Sequence, residues 1–427
     1  MKKITIKYNI FYNLLFFIIY KILLDISYFY IISPIWSYSG FILNINRIKL
    51  YESYFLLIFI YIIMPKSQDK ISSIMCWILI LISYVPLLTI YAFMNESRIY
   101  LYAITCFWVL VFLMLNLPTL LLRNMNKNLT KFILFIISFI LIAFTISMVF
   151  KYFKISINLN LANVYDVRSE YSKKNNIPFL GYVFTWTAYV ILPFVFSITI
   201  YKKRYLFSIL IILLQILLFS ITGNKTYLFA LPLVLALIFI LNKKNYFLLM
   251  TLGLVCIILI GILSNLLIND LWISSLFTRR TLLLPARLSF IYYDFFSNNP
   301  HTFLSQHHIF NKFFNYPYEV APPYLIAKVY FNAPEMSANN GIYADAFMNF
   351  GFYGFIIWAL IITIFMKIID SCSKNKDKRL IISVLCMPLI AITNSAFLTC
   401  LITHGLLLSI VIIYLLPKKS EKSLCKK

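Results

Sequence analysis

The sequence predicts an all-α polytopic membrane protein of about twelve transmembrane helices, with a large, mainly helical outer segment before the tenth span. Three observations predict it. The 427 residues are 62% hydrophobic and only 12% charged, far from the balance of a soluble domain. Apolar runs of membrane-crossing length recur along almost the whole chain. The basic residues behind the formal net charge of +24 gather in the short segments between those runs, as the positive-inside rule requires.

In order, the runs are 10–32, 49–64, 71–93, 99–122, 132–150, 181–201, 206–221, 226–241, 247–268, 351–369, 380–398 and 401–416. The basic start "MKKITIKYNI" leads into the first run without a small-residue cleavage site, so an uncleaved first helix is expected. With the N terminus inside, "PKSQDK", "RNMNKNLTK", "KKRY", "NKKN", "SCSKNKDKR" and the tail "PKKSEKSLCKK" all fall on the cytoplasmic side. Both termini are therefore expected in the cytoplasm. Residues 1–427 read as one integral membrane domain, with a smaller outer loop at 151–180 and a larger one at 269–350. The larger loop is rich in aromatic residues and Leu, which argues for a folded helical cap and against disorder.

Composition also excludes. The seven Cys are scattered without CxxC or Cys/His spacing, so neither a disulfide framework nor a zinc site is expected. No acidic cluster has metal spacing, so no metal and no cofactor is expected. The positive charge lies between spans and lacks the aromatic interleaving of a nucleic-acid platform, so no nucleic-acid partner is expected.

Several residues stand out as candidates for chemistry. In "DLWISSLFTRRTLLLPARLSFIYYDFFSNNP", Leu271, Trp272, Ile273, Leu276 and Phe277 make a rough helical stripe. Pro285 fits a first turn, so a second helix is expected to start there. Arg287 and Asp294 would share a face of it, about 10 Å apart along the axis. Arg279, Arg280 and Arg287 beside a membrane suit either a bound anion, whose oxygens match the guanidinium fork, or lipid headgroups. In the smaller loop, Arg168 is flanked by Asp166 and Glu170, which suits a local ion pair, and Tyr165 and Tyr171 offer faces to sugar rings. Lys225, after the turn formers Gly223 and Asn224, is a functional candidate or a snorkelling cation. Lys21 and Asp25, four apart in the first run, form either a neutralising pair or a proton relay. Histidines His301, His307 and His308 all lie in the larger loop.

The most polar-patterned stretch is "SANNGIYADAFMNFGFYG", 337–354. Asn339, Asn340 and Gly341 read as a turn and cap, with a helix starting at Ile342. Asp345 and Asn349 would then share a face. The helix N terminus suits an anionic ligand or simply an ordinary cap with a first-turn acid. Gly351 and Gly354 permit a kink or a close helix approach.

These stretches, taken in order, resemble the bacterial O-antigen and capsule repeat-unit polymerases of the Wzy type. The small/Asn/Gly cluster is followed by Asp345-Ala346, with Phe347 where that family commonly has Tyr, and then by Asn349-Phe350-Gly351. "RLSFIYYDFFSNNP" and "TGNKT" resemble two further segments of the family. The resemblance implies a membrane-embedded glycosyltransferase of GT-C-like architecture in the bacterial inner membrane. Its substrate would be an undecaprenyl-diphosphate-linked oligosaccharide, and its partners membrane lipid, a flippase and a chain-length regulator. It implies diphosphate contacts from Arg279, Arg280, Arg287, Lys225 and Arg168. It also implies a base or orienting group among Asp345, Asp294 and His307, and substrate contacts from Tyr292, Tyr293, Asn339, Asn340 and Asn349. An O-antigen ligase-like transferase and a lipid-linked glycan flippase or transporter are the alternatives.

Overall fold

The computed structural model describes residues 2–119, 126–153, 157, 164–174, 177–307 and 310–418. All regular secondary structure among them is helical. Among the described residues eight helices are long and apolar enough to cross a membrane: Phe11–Ser39, Ile71–Phe93, Arg98–Leu115, Lys127–Tyr152, Leu180–Tyr201, Tyr205–Thr222, Tyr246–Ile268 and Ile342–Ser373. Helices also stand at the other four expected positions: Arg47–Ile63, Lys225–Leu241, Lys378–Ala391 and Leu406–Leu415. These have only 17, 17, 14 and 10 residues, and at 1.5 Å of rise per residue they fall short of the roughly 30 Å of a hydrocarbon core. The expected run 380–398 is cut because its helix stops at Ala391 and the chain turns through 392–396 before the next helix, Phe397–Ile402.

The chain divides into two compact units. The first comprises Met1–Pro118, Asn245–Lys367 and Ile392–Phe397; the second comprises Thr119–Lys244, Ile368–Ala391 and Leu398–Lys427. In the first, Phe11–Ser39 packs along Tyr246–Ile268, and Ile71–Phe93 is buried along nearly its whole length, as a helix apolar all round must be. In the second, Leu180–Tyr201 packs against Tyr205–Thr222, Lys225–Leu241 and Lys378–Ala391. There Gln215 Nε2 donates to the carbonyls of Ala188 (3.2 Å) and Tyr227 (2.8 Å).

One local rule recurs. Four helices widen into a π-helical segment, at Tyr28–Ile32, Ile80–Tyr84, Thr187–Ile191 and Ser274–Leu283. Each leads directly into a turn that begins with a proline: Pro34, Pro86, Pro193 and Pro285. A proline ring clashes with the carbonyl four residues back and supplies no N–H. Widening the preceding turn relieves the clash while keeping the helix going. The expected helix at Pro285 is therefore present, as Leu284–Asn298, continuous with the segment before it.

The expected helix start at Ile342 and the expected run 351–369 belong to one helix, Ile342–Ser373, broken at Phe350 and Gly351. Gly351 has φ 57° and ψ −141°, a region that side-chain-bearing residues avoid. At Gly354 a Cβ would lie 1.9 Å from the Ala346 carbonyl oxygen, so the chain after the break presses against the turn before it. The break leaves the Met348 and Asn349 carbonyls without their helical partners, and they accept from the backbone N–H groups of Thr302 (3.0 Å) and Phe303 (3.2 Å). In this way the 301–307 turn is docked onto the broken helix.

The pair predicted within the first helix is present. Lys21 Nζ donates to both Asp25 oxygens, at 2.6 and 2.7 Å. Tyr54 and Thr89, from two other helices, donate to the same carboxylate at 2.7 and 2.8 Å. Lys21 is fully buried and Asp25 nearly so. Removing one partner strands a buried charge, at a cost of about 3–5 kcal/mol. Lys21→Met is therefore expected to lower the thermal unfolding midpoint in detergent sharply. Lys21→Met with Asp25→Leu should recover most of it, and an equally unstable double variant would rule out the neutralising role.

Candidate functional site

Most of the sequence-predicted site residues lie in the first unit, within its 269–350 segment. Helix Leu284–Asn298 carries Arg287, Tyr292, Tyr293 and Asp294. Its neighbours are the 337–341 segment and the start of Ile342–Ser373. Tyr292 is wholly buried, and its hydroxyl donates to the Ala338 carbonyl at 2.8 Å. Tyr293 stacks on Tyr100 with ring centroids 4.5 Å apart and meets Phe347 at 4.9 Å. Ser289 shares a 2.8 Å hydrogen bond with the Tyr100 hydroxyl. The two stretches that carry the sequence resemblance in this segment thus fold against one another. Beside them Ser83, Pro285, Ser289, Gly341, Tyr343 and Thr393 line a small cleft.

Asp345 and Asn349 share a face, as their spacing predicts, and form a buried knot. Asp345 is 1% exposed and Asn349 0%. The Asn349 amide donates to the Asp345 carboxylate at 3.0 Å and to its backbone carbonyl at 2.8 Å. The other Asp345 oxygen accepts from Trp358 Nε1 (3.1 Å) and from the Phe397 backbone N–H (2.9 Å). On its far side, the Asn349 amide oxygen accepts from Thr302 Oγ1 (2.7 Å), the Leu304 N–H (2.8 Å) and Gln306 Nε2 (3.4 Å). Both carboxylate oxygens are therefore engaged, one with Asn349 and the other with Trp358 beyond the break and with the separate segment at Phe397. The helix N terminus is likewise taken up. The Ile342 N–H donates to the Ile392 carbonyl at 3.0 Å, and Gly341 lies against the Thr393 carbonyl. Asn340 is buried just before it, and Asn339 accepts from Ser337 Oγ at 2.7 Å.

The cations are placed differently from one another. Arg287 is 8% exposed. Its Nη1 donates to the Ser39 carbonyl, its guanidinium lies 5.1 Å from the Phe41 ring and 5.3 Å from the Phe331 ring, and its buried Nε has no partner. Arg279 stacks over Trp36 at 4.6 Å, with Nη2 3.4 Å from Ser275 Oγ; Arg280 is half-buried on the same segment. Asp294 is exposed and accepts from the Tyr330 hydroxyl at 2.6 Å.

Glu96 is the residue that sequence reasoning missed. Arg287, Asp294 and Lys49 all act on it electrostatically. Burial pushes its carboxyl up to about 7, Asp294 adds to the rise, and Arg287 and Lys49 oppose it. Glu96 comes from a different part of the sequence, so no local spacing could have found it.

The 301–307 turn holds two further buried atoms without partners, His301 Nδ1 and His307 Nε2. Burial lowers the pKa of both rings, so both are neutral imidazoles at pH 7. His308 lies outside the described residues. Among the described residues no group of three His, Cys, Asp or Glu is placed to hold a metal ion.

Arg168 and Lys225 belong to the second unit. There the smaller loop's helix Val164–Ser172 meets the turn before Lys225–Leu241. Arg168 Nε donates to the Gly223 carbonyl at 3.0 Å, and Asn224 caps the helix through Thr226. Tyr189 and Thr226 share a 2.6 Å hydrogen bond, and Tyr189 stacks on His404 at 5.7 Å. Tyr171 stacks on Phe153 and Phe184, at 6.0 and 6.3 Å, so its ring is engaged within the protein.

Two measurements test this geometry. Asn349→Ala strands Thr302 Oγ1 and the Leu304 N–H, at about 1–3 kcal/mol for each buried group left unsatisfied. Faster proteolysis within 301–307 is expected, ahead of global unfolding. For Glu96, the folded chain keeps a proton that the unfolded chain has released between about pH 4.5 and 7. Its contribution to stability therefore falls as pH rises through that window. Glu96→Gln should flatten that part of the dependence of melting temperature on pH; an unchanged profile would remove Glu96 as its source.

Compared with known proteins, the chain matches no protein-family model, no curated protein and no solved structure.

Proposed function

We propose that this protein is a polysaccharide polymerase of the Wzy type, a glycosyltransferase joining undecaprenyl-diphosphate-linked oligosaccharide repeat units at the outer face of the bacterial inner membrane. In the full reading the chain crosses the membrane about twelve times, both termini are cytoplasmic, and the architecture is GT-C-like. Membrane lipid, a flippase and a chain-length regulator are its expected partners. One observation carries the reading. Arg287 is a buried cation with an unpartnered donor, on the helix where the two resemblance-bearing stretches pack together.

In this reading a hydroxyl of a fresh repeat unit bonds to the anomeric carbon of the growing glycan. The bond from that carbon to the lipid diphosphate breaks, and the diphosphate leaves with the electron pair. Negative charge grows on the leaving group, and a guanidinium held in a poorly hydrated setting stabilises it. The departing hydroxyl proton needs an acceptor. Of the three candidates, Asp294 is exposed, whereas Asp345 is enclosed by its own hydrogen bonds and His307 offers a buried Nε2. Asp294 is accordingly the preferred base or orienting group, with Tyr330 holding its carboxylate.

The experiment compares surface glycan in cells lacking the protein with cells carrying Arg287→Ala. Loss should leave single repeat units capping the surface lipid, and Arg287→Ala should do the same while inserting normally. Replacing one transition-state cation commonly lowers the rate by about 10²–10³-fold. Normal chain lengths in the null strain would overturn the reading. Absent surface glycan, with polymer retained on the carrier, would favour the ligase alternative.

A further inference from the structure

Arg287 does not reach its position through its own helix alone. Its guanidinium lies flat against the turn that ends Phe11–Ser39. A Cβ built on Gly40 would stand 2.0 Å from Nη2, 2.6 Å from Cζ and 3.0 Å from Nη1. Gly40 has φ +85°, and the turn is closed by Gly40 N–H to the Ser37 carbonyl (2.7 Å) and Phe41 N–H to the Trp36 carbonyl (3.3 Å). Tyr28 staples the next residues by donating to the Ile42 carbonyl at 2.7 Å. The Ser39 carbonyl takes one Nη1 proton, and the rings of Phe41 and Phe331 flank the guanidinium.

We propose that the 39–41 turn is the second half of an anion seat, and that Gly40 is the positioning residue that lets the Arg287 guanidinium lie in it. The proposal rests on the reading of Arg287 as a diphosphate contact and names what holds it there. The Ser39 carbonyl fixes the Nη1 end, and the buried Nε–H is left as a donor without a partner, which an anion entering beside the turn would take up. Nε–H with a neighbouring Nη–H is the side-on fork that spans two oxygens of a phosphate group. The flanking rings exclude water and so strengthen the attraction between guanidinium and anion. Any side chain at position 40 would lift the guanidinium off the turn and turn the fork away.

The test measures binding of inorganic pyrophosphate to the full-length protein in phosphatidylcholine nanodiscs. Gly40→Asn is the main variant. Asn tolerates positive φ better than other side chains, yet its Cβ meets the same collision. Losing one charge-assisted hydrogen bond corresponds to an affinity loss of about tenfold or more. That loss is expected for folded Gly40→Asn, together with a lowered melting temperature from a side chain at φ +85°, and a larger loss for Arg287→Ala. If Gly40→Asn does not fold, Phe331→Leu takes its place, since it opens one wall of the slot without touching the turn; a loss of about threefold is expected. Native affinity in a folded Gly40→Asn, or in Phe331→Leu where that variant stands in, overturns the proposal while leaving the Arg287 reading intact. Absent binding to the native protein, or equal binding by Arg287→Ala, overturns both. A last arm adds phosphatidylglycerol to the nanodiscs. Pyrophosphate binding that survives supports a diphosphate ligand, and binding abolished by that lipid makes the seat a headgroup site and overturns it.

Discussion

The hydrogen bonds between Asp345 and Asn349 sit beside the break in the helix Ile342–Ser373. A break in a buried helix exposes backbone carbonyls that must find other donors. Here Met348 and Asn349 find them in the 301–307 turn, and the Asn349 side chain takes three more donors from the same turn. Asp345 does the corresponding work on the other side, gripping Trp358 beyond the break and the backbone at Phe397. The Asn349 amide oxygen accepts from three donors and the Asp345 carboxylate from three. A polar knot of this kind is tolerable in an apolar interior when its carboxylate and amide are hydrogen-bonded, and those bonds tie four separate pieces of chain together, leaving the buried Gln306 Oε1 without a partner. The position of the Leu284–Asn298 helix follows, because Tyr292 holds the Ala338 carbonyl just ahead of the knot.

Against that frame the cations are arranged by a second constraint. Arg279 and Arg287 are paired with aromatic faces, Trp36 for one and Phe41 with Phe331 for the other. Ring faces stabilise a guanidinium without cancelling its charge. Glu96, the carboxylate that bears on Arg287, is pushed up to about 7, so at neutral pH it is only partly ionised. The net result is a buried positive charge that keeps its capacity to attract an anion. Lys21 is the opposite case, since both Asp25 oxygens hold it and its charge is spent within the protein.

How far the site was legible in the sequence depends on the range of each interaction. Asp345 and Asn349 were readable as a pair because i, i+4 spacing puts them on one face, and Gly351 was readable as a kink because few residues follow such a φ. The purpose of the pair was not readable, because Thr302, Trp358 and the Phe397 N–H come from distant parts of the chain. Arg287 could be singled out by its charge. Its seat could not, since Ser39, Gly40 and Phe41 lie almost 250 residues earlier.

By itself, the sequence determined a helical polytopic membrane protein and the places of its long apolar helices. Both follow from local quantities: apolar run length, the position of basic residues, and prolines that force a turn to widen or begin. The tertiary structure alone decided which polar groups are spent and which remain available. Asp345 reads in the sequence as a first-turn acid or a base candidate and is enclosed in the fold, while Glu96 and Gly40 carry no local mark and bear on Arg287. The physical reason is that burial and pairing depend on segments brought together from afar, and the free energy of a charge is set by those neighbours rather than by its own stretch of chain.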